Sequence, residues 1–420
     1  MVTVKPFRGI RPAPEKANAV VSLPYDVLNA EEARNMAKDN PDSFLHVTRP
    51  EIDMDPDIDC YDERVYQRGK ENLEKMLRNQ VLIRDETPCF YVYKLRMGDH
   101  TQVGLVATVA VKDYQEKRVK IHEFTRADKE DDRTKHIRVL QAQAGPVFLM
   151  VQANNAIQNL IENAMQKAPL YDLQKDHDIQ HTLYLIDDPG TIQKLEEEFA
   201  ELKALYIADG HHRSAAASRV QQIMQAENPN HTGDESYNYF LSVIFPHDHL
   251  RILDYNRVVR DLNGMDKETF FQKISKDFDI TPYIPAAGEE RVYHPPESHT
   301  FGMYIEGQWY ALKLKKNLFD CANPVECLDV WLLQENLLDP VLGIKDVRTD
   351  KRIQFIGGIR GLEWLEKLVD SGKFKIAFAL YPTQIEELIA VADAESLTPP
   401  KSTWFEPKLG SGMIIHKIND

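Results

Sequence analysis

The stretch Leu205-Tyr206-Ile207-Ala208-Asp209-Gly210-His211-His212-Arg213-Ser214 sets a carboxylate, two imidazoles and a guanidinium side by side. Leu205 to Ala208 has the apolar run of a buried strand end, and Gly210 allows a tight turn without a Cβ clash. From Ser214 the Ala-rich sequence favours a helix. A strand turning straight into a helix leaves the first backbone N–H groups of that helix unpaired. Together with the positive end of the helix dipole, they favour a phosphate or a carboxylate. Gly210, His211, His212, Arg213 and Ser214 are therefore candidate phosphate-binding residues, with Arg213 able to grip an anion through two hydrogen bonds. Asp209, at the strand end, could orient a metal ion or a hydroxyl. The plainer alternative makes Asp209 a helix cap and the histidines surface residues.

A second chemical stretch precedes it. Val119-Lys120-Ile121-His122-Glu123-Phe124-Thr125 leaves a strand and enters a charge-dense helix beginning at Ala127. His122 and Thr125 are candidate substrate contacts. Lys129 and Arg133 on that helix are weaker ones, since mixed charges at helical spacing usually form a solvated face. Further candidates lie in loops that could line a site: Asp26, Arg49 and Glu51 near the N-terminus, and Lys401, Ser402, Thr403 and Lys408 near the other end. Turn caps and surface ion pairs account better for Asp26, Arg49 and Glu51, and a plain surface loop equally well for Lys401, Ser402, Thr403 and Lys408.

The elements that must position these residues can be read from the chain. Apolar runs and helical periodicities alternate over all 420 residues, predicting an α/β protein with mixed sheets. A loop-rich α/β region is expected over residues 1–88, a central catalytic domain over 89–280 and a C-terminal α/β region over 281–420. Ala30 to Lys38 reads as a helix capped by Asn29, and Phe44 to Val47 as a strand. His247 and His249 suit a turn better than a metal site.

The net charge of −15 argues against general nucleic-acid binding and against anionic membranes. No apolar run approaches the roughly 18 residues of a membrane span, and Met1 to Arg11 lacks a signal-peptide core. Cys60, Cys89, Cys321 and Cys327 show no CxxC spacing, so reduced thiols in a cytoplasmic protein are expected and a zinc site is not. Nothing in the sequence speaks against a homo-oligomer.

The two motifs in order, Ile121-His122-Glu123-Phe124-Thr125 and Ile207-Ala208-Asp209-Gly210-His211-His212-Arg213-Ser214, resemble the ParB/sulfiredoxin-like superfamily, and in particular its free L-serine kinases. The chain also resembles a prokaryotic family of unknown function marked by the string Ala-Asp-Gly-His-His-Arg. The resemblance implies a ParB/sulfiredoxin-like central domain with N- and C-terminal additions. Glu123 and Asp209 would be the catalytic carboxylates, and Gly210, His212 and Arg213 would lie on phosphate. It implies transfer of a phosphoryl group to the hydroxyl of L-serine to give O-phosphoserine, with Mg²⁺ as the ion and Asp209 as its candidate ligand. Pyrophosphate is the expected donor, with ADP or ATP open, because no Walker loop or kinase glycine loop appears. Two rival functions use the same residues: a phosphoserine phosphatase or pyrophosphatase with water as acceptor, and a nucleotide-binding regulator without catalysis.

Overall fold

The computed structural model describes residues 1–175, 178–286, 288 and 290–419. The chain forms two compact units, Met1–Leu250 with Pro407–Asp420, and Arg251–Glu406. Both carry helices packed on sheets, so the protein is α/β. No helix among the described residues is long and apolar enough to cross a membrane.

The first unit begins with strand β1 (Val4–Lys5) and helices α1 (Ala30–Ala37), α2 (Leu45–Thr48) and α3 (Glu63–Arg78). Strands β2 (Phe90–Met97), β3 (His100–Ala110) and β4 (Val119–Lys120) precede helix α4 (Ala127–Leu140). Next come β5 (Val147–Val151), α5 (Asn155–Ala164), β6 (Tyr171–Lys175), β7 (Ile179–Ile186) and α6 (Pro189–Ala200). Strand β8 (Leu205–Asp209), helix α7 (His211–Glu227) and β9 (Tyr239–Pro246) complete it. The sheet order is β4-β8-β5-β9-β3-β2-β7-β6, with β1 also on β3. The pairs β4–β8 and β5–β9 are parallel and the rest antiparallel, as a mixed sheet requires. A core of Val92, Leu105, Leu149, Ile157, Leu205 and Ile244 packs against it, each at most 4% exposed.

The boundaries differ from the three-part expectation for physical reasons. Residues 1–88 do not stand apart, because Val4 pairs with Val109 and Tyr66 Oη donates to Asp132 Oδ1 at 2.8 Å. The last residues leave the second unit at Pro407 and return to the first. There the Ile415 N–H donates to the Ile10 carbonyl at 2.8 Å, and the Ile418 N–H to that of Gln141 at 3.0 Å. Phe44 to Val47 is helical rather than extended. A short apolar run fits either state, and here Phe44 and Val47 pack with Leu73 and Met76 of α3.

The second unit is built on an antiparallel sheet ordered Phe278–Pro282, Gln308–Leu314, Thr300–Ile305, Ile376–Leu380, Tyr255–Val259 and Ile353–Gly357. Its core includes Phe270, Phe301, Leu332 and Phe378. The expectation of reduced thiols fails at one pair, since Cys321 and Cys327 form a disulfide with their Cα atoms 4.8 Å apart. Cys60 and Cys89 are free thiols.

Candidate active site

The site rests on one pairing. Strands β4 and β8 run parallel, Leu205 opposite Val119 and Tyr206 opposite Lys120. Both therefore deliver their following turns to the same end of the sheet, where ligands of open α/β sheets bind. A register shift between Ile207 and Asp209 puts an extra residue into β8 just before the turn. Such a bulge re-aims the side chain that follows it, here Asp209. Gly210 then adopts φ +105°, a conformation that L side chains rarely take, and α7 starts at His211.

At this corner Asp209 Oδ2 lies 3.1 Å from Lys408 Nζ and 3.6 Å from Arg213 Nη2. Burial works to raise the Asp209 pKa, but Lys408 and Arg213 outweigh it and hold the carboxyl well below its ordinary value. Arg213 Nη2 is also 3.9 Å from Asp26 Oδ2, and Arg213 Nη1 donates to the Pro146 carbonyl. Two cations thus share Asp209, and the same Arg213 nitrogen also approaches Asp26.

The histidine corner faces it. His122 and His211 are buried, with ring centroids 4.4 Å apart in an edge-to-face arrangement. The His122 backbone N–H donates to His211 Nε2 at 3.3 Å, so the proton of a neutral His211 sits on Nδ1. His211 Nδ1 is 3.9 Å from Glu123 Oε2. Burial pushes His122 down to about 4 and His211 well below its ordinary value, keeping both rings neutral. His122, Glu123 and His211 bring possible metal-ligand atoms within 4.8 Å of one another. This tautomer argues against a metal there, since Nε2 is taken by a backbone donor and Nδ1 carries the proton.

Arg213 lines a small cleft together with Tyr25, Arg133, His136, Gly145 and Ser411. The Arg133 guanidinium carbon stands 4.1 Å from the centre of the Tyr25 ring, and its Nη2 pairs with Asp132 at 2.6 Å. Arg49 buttresses the same wall, donating to the Tyr25 carbonyl at 3.0 Å and pairing with Glu51 at 2.7 Å.

The structure therefore brings Glu123, His122, His211, Asp209, Arg213, Asp26 and Lys408 to one end of the sheet, with Arg133 on the adjoining cleft. Other candidates have local partners. His212 Nε2 accepts from the Arg126 N–H at 3.0 Å, tying α7 to the start of α4. Ser214 Oγ donates back to the Gly210 carbonyl at 3.3 Å, and Thr125 Oγ1 to Glu130 at 3.1 Å. Lys129 Nζ reaches the Tyr61 hydroxyl at 2.7 Å on an exposed face. The basic loop divides between the units: Lys408 belongs to the first, Lys401, Ser402 and Thr403 to the second. There Ser402 Oγ donates to the Pro399 carbonyl at 2.6 Å, and the Lys401 carbonyl accepts from Arg257 at 3.0 Å. Tyr25 was not foreseen. Its signal was its place beside Asp26 in a proline turn.

A family model described as "Protein of unknown function (DUF1015)" matches residues 4–331. No curated protein matches. Solved structures similar to the chain include a free serine kinase in complex with AMP, at 12% identity and TM-score 0.35 over 71% of this chain and 86% of that one. A conserved hypothetical protein from Pyrococcus furiosus matches at 12% identity and TM-score 0.32, covering 71% and 90% of the two chains. SbnI with a C-terminal truncation, from Staphylococcus aureus, matches at 11% and 0.36, covering 72% and 82%.

Proposed function

We propose that this chain, which belongs to the DUF1015 family of proteins of unknown function, is a phosphotransferase that moves a phosphoryl group from a small phosphate donor to the hydroxyl of free L-serine. The observation that carries this reading is the meeting of an acidic and a cationic corner at the ends of β4 and β8. Phosphoryl transfer asks for positioning and charge neutralisation more than for covalent chemistry. The N–H groups that open α7, with Arg213 and Lys408, would hold the transferring phosphate. Glu123, whose side chain is 42% exposed, would take the proton from the attacking hydroxyl. Neutral His211, its Nδ1 3.9 Å from Glu123 Oε2, would donate its Nδ1–H to that carboxylate once a side-chain rotation closes the gap. Serine as acceptor rests on the motif resemblance.

Pyrophosphate is the preferred donor, because two guanidiniums, those of Arg133 and Arg213, border the cleft and Arg suits phosphate oxygens. ADP and ATP are the other candidates. Asp209 does not fit as a direct Mg²⁺ ligand, since two cations already share its carboxylate. Mg²⁺ would instead be carried by the oxygens of the donor, where it would neutralise charge on the transferring group. The exposure of Glu123 also favours a second reading, a hydrolase in which water replaces serine.

The test is to incubate the protein with Mg²⁺, with and without L-serine, and with pyrophosphate, ADP or ATP in turn. Serine-dependent O-phosphoserine supports the kinase. Phosphate release without serine points to the hydrolase, and saturable donor binding with no product to a regulator.

A further inference from the structure

The second unit holds a cluster unrelated to the site above. Cys321 and Cys327 are joined, and His299 stands against them with Nε2 3.7 Å from Cys327 Sγ. Ligand atoms of all three residues lie within 4.8 Å of one another. The histidine is firmly set: its backbone N–H donates to Asp329 Oδ1 at 2.7 Å, and the Phe319 ring covers it at 3.9 Å between centroids. It also holds φ +65°, unusual for a residue with a side chain and a feature that tends to gather at functional sites. Cys321 is exposed and His299 and Cys327 are partly so, which leaves the cluster open to solvent.

We infer that Cys321, Cys327 and His299 form a redox-gated site for one thiophilic divalent cation of the Zn²⁺ type. The geometry favours such an ion. With Zn–S near 2.3 Å and Zn–N near 2.0–2.1 Å, a tetrahedral centre sets sulfur and nitrogen about 3.6 Å apart and its two sulfurs about 3.8 Å apart. The Cys327–His299 edge already has that length at 3.7 Å. The two sulfurs must separate, and the exposed Cys321 can turn away once the bond is cut.

Opening takes two electrons from a dithiol reductant. The Sγ–Sγ bond breaks, the reductant becomes a disulfide, and its two protons pass to Cys321 and Cys327. Cation binding then releases those two protons, because thiolates are the ligands. His299 contributes Nε2 with its ring proton on Nδ1, giving up its present contact with the Cys327 carbonyl at 3.3 Å. Water fills the fourth position, as in other three-ligand zinc sites. A reducing compartment would favour the open, cation-binding form and an oxidising one the disulfide.

The test uses the full chain and Co²⁺ as a spectroscopic probe. Protein reduced with a phosphine should bind one equivalent with a near-ultraviolet thiolate-to-Co²⁺ band that Zn²⁺ abolishes, and oxidised protein should show none. The band should vanish in Cys321→Ser/Cys327→Ser and persist in Cys60→Ser/Cys89→Ser. His299→Gln, which leaves both thiols in place, should bind at least ~10-fold more weakly. Absence of the band in reduced wild type, its survival without Cys321 and Cys327, or unchanged affinity in His299→Gln would each overturn the proposal.

Discussion

Lys408 and Asp209 are 199 residues apart in sequence, and their charged atoms are 3.1 Å apart at the end of β8. The contact exists because the chain leaves the second unit at Pro407 and is threaded into the first. The Gly410 N–H donates to the Tyr93 hydroxyl at 3.1 Å, and Ser411 pairs with Ser22. A cation from the far end of the chain thus helps to keep the strand-end carboxylate ionised. Lys408 also lies beyond residues 4–331, the part of the chain that matches the family model.

Lys408→Met should weaken donor binding by about tenfold or more, the scale of one charge-assisted hydrogen bond. With one of its two cations gone, the Asp209 pKa should rise. A simple loss of packing would not cause that rise. Donor titrations and an NMR titration of the Asp209 carboxyl in the variant check both effects.

Gly210→Ala should damage the corner without touching any charge. Gly210 sits at φ +105°, and an added Cβ would stand 3.1 Å from Arg213 Nε. The backbone strain should cost about 1–3 kcal/mol of stability. Displacement of Arg213 should lower donor affinity further. Thermal unfolding and donor titration of the same variant measure the two losses separately.

Stability of the first unit should fall as the solution is acidified below neutrality. His122, His136, His181 and His416 are each pushed down to about 4 by burial, with nearby Arg133 and Lys175 adding to the effect at His136 and His181 respectively. An unfolded chain takes up these protons near pH 6.5, whereas the folded chain does so only near pH 4. The stabilisation is therefore complete above about pH 6.5 and is lost as the pH falls toward 4. One such shift is worth on the order of 3 kcal/mol, a large part of a typical ~5–15 kcal/mol. His46 works in the opposite sense, because its hydrogen bond to Asp53 raises its pKa. Chemical denaturation at several pH values between 4 and 7.5 should show the decline. A flat profile would mean that these rings are not held neutral.

Much of this was legible in the sequence where the determinants are local. Asp209-Gly210-His211 is a strand end, a turn residue and a helix start, and each follows from neighbouring residue types. Asn29 capping α1 was readable for the same reason, and the structure shows its full capping box with Glu32. Long-range pairing was not readable. Nothing near Val119 says that it lies opposite Leu205, yet that pairing brings Glu123 to His211. Lys408 could be listed as a basic loop residue, but its separation from Lys401, Ser402 and Thr403 depends on where the chain changes units. The Cys321–Cys327 pair was missed because two sparse cysteines without a metal-type spacing carry no sign of their distance in space.

The most direct test of the central claim is Glu123→Gln, assayed in parallel for serine-dependent product and for donor binding. The proposal predicts that turnover is abolished while donor affinity stays within about twofold, because Glu123 stands beside His211 and is assigned to the acceptor, whereas the donor is assigned to the cations around Asp209. Undiminished turnover in that variant would contradict the account, as would loss of donor binding in step with turnover.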